Sequence, residues 1–279
     1  MRERGPLSRQ LADASPWAAR QLASYSGRLP VLGAFPTACY LQLPAGSVIA
    51  LLSADAVALP NGLLLAAGSA ELPLDLSCRG TEAGWLRDGE LALGPLRVSV
   101  ATIRDYRLPV VGRPSGELRG LWRAWQAEAM AAAGLRAGQL EAIFADPDRA
   151  VAGLLGYGGG LTPAGDDVLA GLLAGAVLFG VEAENLRTAV LARLAYRPRA
   201  TTSLSGQLLR CAAAGDGIAE STTLARALVG TDRRALVAAW AALIRIGHSS
   251  GAAVGLGLLR MAERSCRDQE SSRTRALAG

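Results

Sequence analysis

The sequence contains no lysine; its 29 basic side chains are all arginine, set against 24 acidic ones. No glycine-rich stretch in it can therefore be a Walker loop, whose lysine reaches the phosphates. With alanine and glycine also abundant, the arginine usage reads first as coding bias. Histidine occurs once, at His248. Cys39, Cys78, Cys211 and Cys266 are isolated from one another. They form neither a zinc spacing nor a disulfide framework, and small buried apolar residues are the simpler reading. Aromatic residues make up only 5% of the chain, and the net charge of +5 is scattered along it. The linear sequence shows no dense basic stripe and no aromatic interleaving, so nucleic acid is not an expected partner. Met1 to Gln10 lacks the apolar core of a signal peptide. The wholly apolar run Val168–Val181 is 14 residues long, too short to cross a bilayer. A soluble cytoplasmic protein without a membrane partner is the expectation.

What is present changes character along the chain. Residues 1–28 read as a polar N-terminal segment with a short helix near Pro16–Ala23. From 29 to 111, short apolar runs alternate with turn residues: Val31–Phe35, Ala38–Leu43, Val48–Leu52, Gly62–Ala67, Leu91–Leu93 and Leu96–Ile103. Asn61-Gly62 and Asp88-Gly89 are hairpin signals between such runs. This spacing predicts a small all-β unit, barrel- or sandwich-like. Residues 112–116 read as a linker. A multi-helix domain over 117–264 follows, with helix starts at Asp146-Pro147 and Thr231-Asp232, and 265–279 as a frayed tail. Segregated strands and helices make the fold class α+β.

The chemistry concentrates at three helix starts in the second half. The first is Gly156-Tyr157-Gly158-Gly159-Gly160-Leu161-Thr162-Pro163-Ala164-Gly165-Asp166-Asp167. Thr162 reads as an N-cap and Pro163 as the first helical residue. Gly158, Gly159 and Gly160, feeding a helix N-terminus, leave N–H groups free to hold an anion. Gly165 in the first turn lets another group approach closely. Asp166 and Asp167 point about 100° apart on the helix, so they do not share one role. The second is Arg197-Pro198-Arg199-Ala200-Thr201-Thr202-Ser203-Leu204-Ser205. Arg197 and Arg199 with the hydroxyls of Thr201, Thr202 and Ser203 suit a phosphate or carboxylate, while plain N-capping with solvated arginines is the competing reading. The third is Gly247-His248-Ser249-Ser250-Gly251. There a neutral His248 can act as a base, donate to an oxyanion or bind metal, with Ser249 and Ser250 beside it. A Ser–His–Asp hydrolase has the composition but lacks the strand-borne nucleophile elbow.

Together, in this order, the three stretches resemble a bacterial domain-of-unknown-function family typified by the AllH subunit of oxamate carbamoyltransferase. The resemblance covers the helical half. Ala164 stands where that family usually has serine. The resemblance implies a place in anaerobic allantoin degradation, where oxalurate and phosphate interconvert with oxamate and carbamoyl phosphate. It also implies partner subunits, one of them FdrA-like. On that footing the Gly158–Thr162 loop cradles phosphate, Arg197 or Arg199 supplies positive charge, and His248 polarises the carbamoyl oxygen. Asp166 or Asp167 then orients the attacking amide, takes its proton, or holds Mg²⁺. Two other readings stand beside it: a non-catalytic ligand-binding or assembly subunit, and a metal-dependent hydrolase or acyl-transfer enzyme.

Overall fold

The computed structural model describes residues 8–278. Residues 1–7 of the expected N-terminal segment and residue 279 of the expected tail lie outside it. The chain divides between Tyr106 and Arg107 into two compact units, each with its own hydrophobic core.

The first unit is a closed eight-stranded barrel. Its strands are β1 (Ser8–Ala14), β2 (Gly27–Phe35), β3 (Ala38–Gln42), β4 (Val48–Leu52), β5 (Gly62–Leu65), β6 (Ala83–Arg87), β7 (Glu90–Leu93) and β8 (Leu96–Ile103). Two helices, α1 (Pro16–Ser24) and α2 (Leu74–Ser77), interrupt them. Around the barrel the order is β1-β5-β4-β3-β2-β6-β7-β8. A parallel pairing of β1 with β8 closes the ring, and β4 with β5 is the other parallel pair. Alternation puts Leu41, Ile49, Leu51, Leu63, Leu91 and Val98 inside. Ser15 caps α1 by accepting from the Ala18 N–H at 3.0 Å, and the helix adds Ala18 and Leu22 to that core. All four cysteines are free and buried.

Several differences from the sequence reading have local causes. β1 is a full barrel strand although its segment reads as a polar lead-in. It turns Ala12 and Ala14 inward and leaves Leu11 exposed, so its hydrophobic pattern runs out of phase. Asp88-Gly89 does form the β6–β7 hairpin, with both residues at positive φ. Asn61-Gly62 does not form a hairpin, because β4 and β5 run parallel. Asn61 is instead fully buried and donates from Nδ2 to the Val48 carbonyl at 3.0 Å.

The second unit is helical: α3 (Arg119–Ala132), α4 (Ala137–Glu141), α5 (Pro147–Leu154), α6 (Ala164–Phe179), α7 (Glu184–Tyr196), α8 (Ser203–Ala213), α9 (Ala219–Val229), α10 (Arg233–Ile244) and α11 (Ser250–Ala278). Asp146 and Asp232 cap α5 and α10 as expected. The helix α11 continues through 265–278, where the sequence predicts a frayed tail. No helix among the described residues is long and apolar enough to cross a membrane.

The apolar α6 is buried along nearly its whole length and ends at Gly180 in the left-handed conformation. Its main neighbour is α11. The two backbones touch: a Cβ on Gly171 would lie 2.1 Å from the Val254 carbonyl oxygen, and one on Gly257 2.3 Å from that of Val168. This close approach sets the start of α11 against the start of α6, where the three polar stretches lie.

Candidate functional site

The helix α6 begins one residue later than its sequence suggests. Pro163 is the N-cap, with extended ψ of 140°, and no side chain caps the helix. Thr162 is therefore not the N-cap, and Pro163 is not the first helical residue. The Thr162 hydroxyl instead pairs with the Ser250 hydroxyl at 2.8 Å, joining the first polar stretch to the third.

Asp166 joins the first stretch to the second. Its Oδ1 accepts from the Gly156 N–H at 2.7 Å, and its Oδ2 accepts from the Ser205 hydroxyl at 2.7 Å. The Thr201 hydroxyl also donates to Oδ2. Asp166 is 1% exposed, and burial raises its pKa against the pull of Thr201, Gly156 and Ser205. Thr202 adds a second tie. Its Oγ1 donates to the Leu161 carbonyl at 2.5 Å while accepting from the Ser205 N–H at 3.0 Å, which makes it the N-cap of α8. The three stretches thus meet at the first turn of α6.

Two glycines are required by this junction. Gly156 has φ of +75°, and a Cβ there would lie 1.9 Å from the Ala200 carbonyl oxygen. At Gly165 a Cβ would lie 2.0 Å from the Leu154 carbonyl oxygen, and its N–H donates to the Tyr157 carbonyl at 2.9 Å. The close approach that Gly165 allows is therefore made by the chain's own backbone.

Asp167 is different from its neighbour. It is 7% exposed, and its buried Oδ2 has no hydrogen-bond partner. Burial pushes its pKa up to about 7, opposed by the Ser250 hydroxyl, helped by the charge of Asp166 and opposed again by Thr162. An unsatisfied buried carboxylate oxygen costs roughly 1–3 kcal/mol or more, a cost that a proton or a donating ligand removes. Above this turn Gly158, Gly159 and Gly160 are exposed to solvent.

His248, Arg197 and Arg199 lie on exposed turns and loops of the second and third stretches, His248 in the turn before α11 and the two arginines in the loop between α7 and α8. No hydrogen bond or ion pair links their side chains to the cluster among the described residues. Ser249 contributes its carbonyl, accepting from the Ala253 N–H at 3.0 Å. Ser203 opens α8 at an intermediate depth. No group of three or more His, Cys, Asp or Glu is arranged to hold a metal ion among the described residues. Both oxygens of Asp166 accept from the protein, whereas Oδ2 of Asp167 is buried without a hydrogen-bond partner. Ser205 and Gly156 contribute to the junction although neither is among the residues that the sequence singles out. For Ser205, its position three residues after the Thr202 cap was the available signal.

Residues 154–262 match a family model described as oxamate carbamoyltransferase subunit AllH. No curated protein and no solved structure matches the chain. The matched span runs from the last residue of α5 into α11 and contains all three polar stretches. Through this part of its helical unit the chain is AllH-like, similar to a family linked to oxamate carbamoyltransferase as one of its subunits.

Proposed function

We propose that the helical unit binds a small carboxylated amide and a phosphate-bearing group at the start of α6, and takes part in carbamoyl transfer between phosphate and oxamate. The observation that carries this reading is the buried, unpartnered Oδ2 of Asp167 at the meeting point of three polar stretches. An amide N–H is a donor that suits it. As the amide nitrogen attacks the carbamoyl carbon, the carbon–phosphate oxygen bond breaks and the nitrogen loses a proton. Asp167, with a pKa near 7, is matched to take that proton. The departing phosphate meets the exposed N–H groups of Gly158–Gly160 and the positive end of α6. Arg197 or Arg199 adds charge there, and His248 donates to the carbamoyl oxygen.

Two carboxylates at an anion site repel the anion unless their charge is dealt with. The charge of Asp166 is spread into one N–H and two hydroxyls. That of Asp167 is removed in part by protonation near neutral pH. A bound Mg²⁺, held by Asp167, would offset the same charge.

Thermal unfolding with carbamoyl phosphate, phosphate, oxamate and Mg²⁺, singly and in pairs, tests the proposal. A ligand at about 100 times its Kd stabilises by roughly 2.7 kcal/mol. A shift with carbamoyl phosphate or oxamate that is lost in Asp167→Asn is expected. Absence of any shift, in the chain alone and in its complex with partner subunits, overturns the reading.

A second reading rests on the exposure of His248, Arg197 and Arg199, which leave the cluster short of cations. Here the chain is a subunit whose partners complete the site. An FdrA-like partner is the form this takes. Asp167→Asn then lowers turnover of the assembled enzyme while leaving assembly intact, whereas a purely assembling role gives the reverse.

A further inference from the structure

The outside of the barrel is treated differently on its two halves. Over β3, β4 and β5 the chain covers its own sheet. Ala56 and Leu59, from the loop after β4, pack with Tyr40, Ala50, Leu52 and Leu64. Over β2, β6, β7, β8 and β1 no such cluster is present among the described residues, and Leu11 and Trp85 stand 61% and 58% exposed.

The strand register lines up what this open face carries. Arg28 pairs with Trp85, Trp85 with Ala92, Ala92 with Arg97, and Arg97 with Arg9. One row crossing five strands therefore reads Arg, Trp, Ala, Arg, Arg. Neighbours in such a row are about 5 Å apart and project to the same face. The next row carries Arg87 and Leu11, with Glu90 and Ser99 between them. The guanidinium groups of Arg9 and Arg28 are exposed and have no hydrogen bond or ion pair among the described residues. Arg97 donates to the Gly94 and Leu96 carbonyls. Arg87 lies 3.4 Å from the Asp88 carboxylate.

Arg97 directly opposite Arg9 is an unfavourable cross-strand pair, and nothing in the barrel core gains from it. An exposed tryptophan flanked by arginines is, however, the composition that concentrates binding energy in protein interfaces. We infer that this face docks a protein partner whose surface sets carboxylates around an apolar hollow that receives Trp85. The row holds a single aromatic, so it offers no stacking platform for successive bases. A second copy of the chain does not fit either, because a basic face is not complementary to itself across a two-fold axis. The face lies outside residues 154–262 and does not depend on the chemistry proposed for α6.

In-cell photocrosslinking of the full chain tests this. A benzophenone-bearing residue is placed at Ala92, in the middle of the row, and in a control at Ala54, exposed in the turn after β4 and outside the row. Crosslinked peptides are identified by mass spectrometry. The expected result is a crosslink from Ala92, and not from Ala54, to an acidic segment of another protein. Its yield falls at least about tenfold in Trp85→Ala, and it falls likewise in Arg9→Glu combined with Arg28→Glu. Circular dichroism of the variants checks that these surface changes leave the fold intact. Crosslinks to nucleic acid or to another copy of the chain overturn the inference. So do equal yields at both positions, insensitivity to charge reversal, or no crosslink at all.

Discussion

Asp166 and Asp167 are adjacent in sequence and opposite in circumstance. Asp166 accepts from Gly156, Thr201 and Ser205, whereas Asp167 keeps a buried oxygen with nothing to accept from. Asp166→Ala strands three donors at once, and we expect a loss of at least about 3 kcal/mol in urea unfolding. The folded-state pKa of Asp167 is raised, so its contribution to stability is full below the unfolded value and is lost as pH climbs through the folded one. Between the ordinary 3.8 and about 7 this amounts to roughly 4 kcal/mol. Stability should therefore fall from pH 5 to pH 8, and the fall should be shallower in Asp167→Asn. It should not vanish, because Asp166 is shifted in the same direction. That the two acids play different parts is legible from their angular separation on a helix. Which of them is tied down is not, because its partner Ser205 lies 39 residues away and only the packing of α8 on α6 brings it near.

At the level of elements, the α6–α11 contact decides whether the junction exists. Gly171→Ala places a methyl 2.1 Å from the Val254 carbonyl oxygen. It should cost about 3 kcal/mol in thermal unfolding and separate Thr162 from Ser250. Gly153→Ala, in α5 with nothing within 4 Å of the added carbon, should instead stabilise by roughly 0.5–1 kcal/mol. Element boundaries are legible where local chemistry decides them. Val48–Leu52 and Leu96–Ile103 are read correctly from their apolar patterns, and the caps at Asp146 and Asp232 from their side chains. They are not legible where distant pairing decides. Ala83–Arg87 has only Leu86 facing the core as a large apolar residue, and it becomes a strand because β2 and β7 flank it. Thr162 has the right side chain for a cap, but Ser250 claims its hydroxyl.

For the whole molecule, the division at Tyr106 gives each half a core of its own. Ligands of the α6 site should accordingly slow amide exchange around 156–167 and 201–205 while leaving the barrel strands unchanged, as followed by mass spectrometry. An equal effect on both halves would count against a site built within the helical unit alone. The α+β class and the order of the two halves are legible from the change in periodicity near residue 110. The closure of the sheet is not, since it depends on a strand that reads as polar. That strand also sets the timetable of synthesis. Ser8–Ala14 is made first but is held between β5 and β8, so no barrel can exist on the ribosome until Ile103 has emerged. Until then β1 has β5 at most on one edge and its other edge open, exposed to any nascent strand nearby.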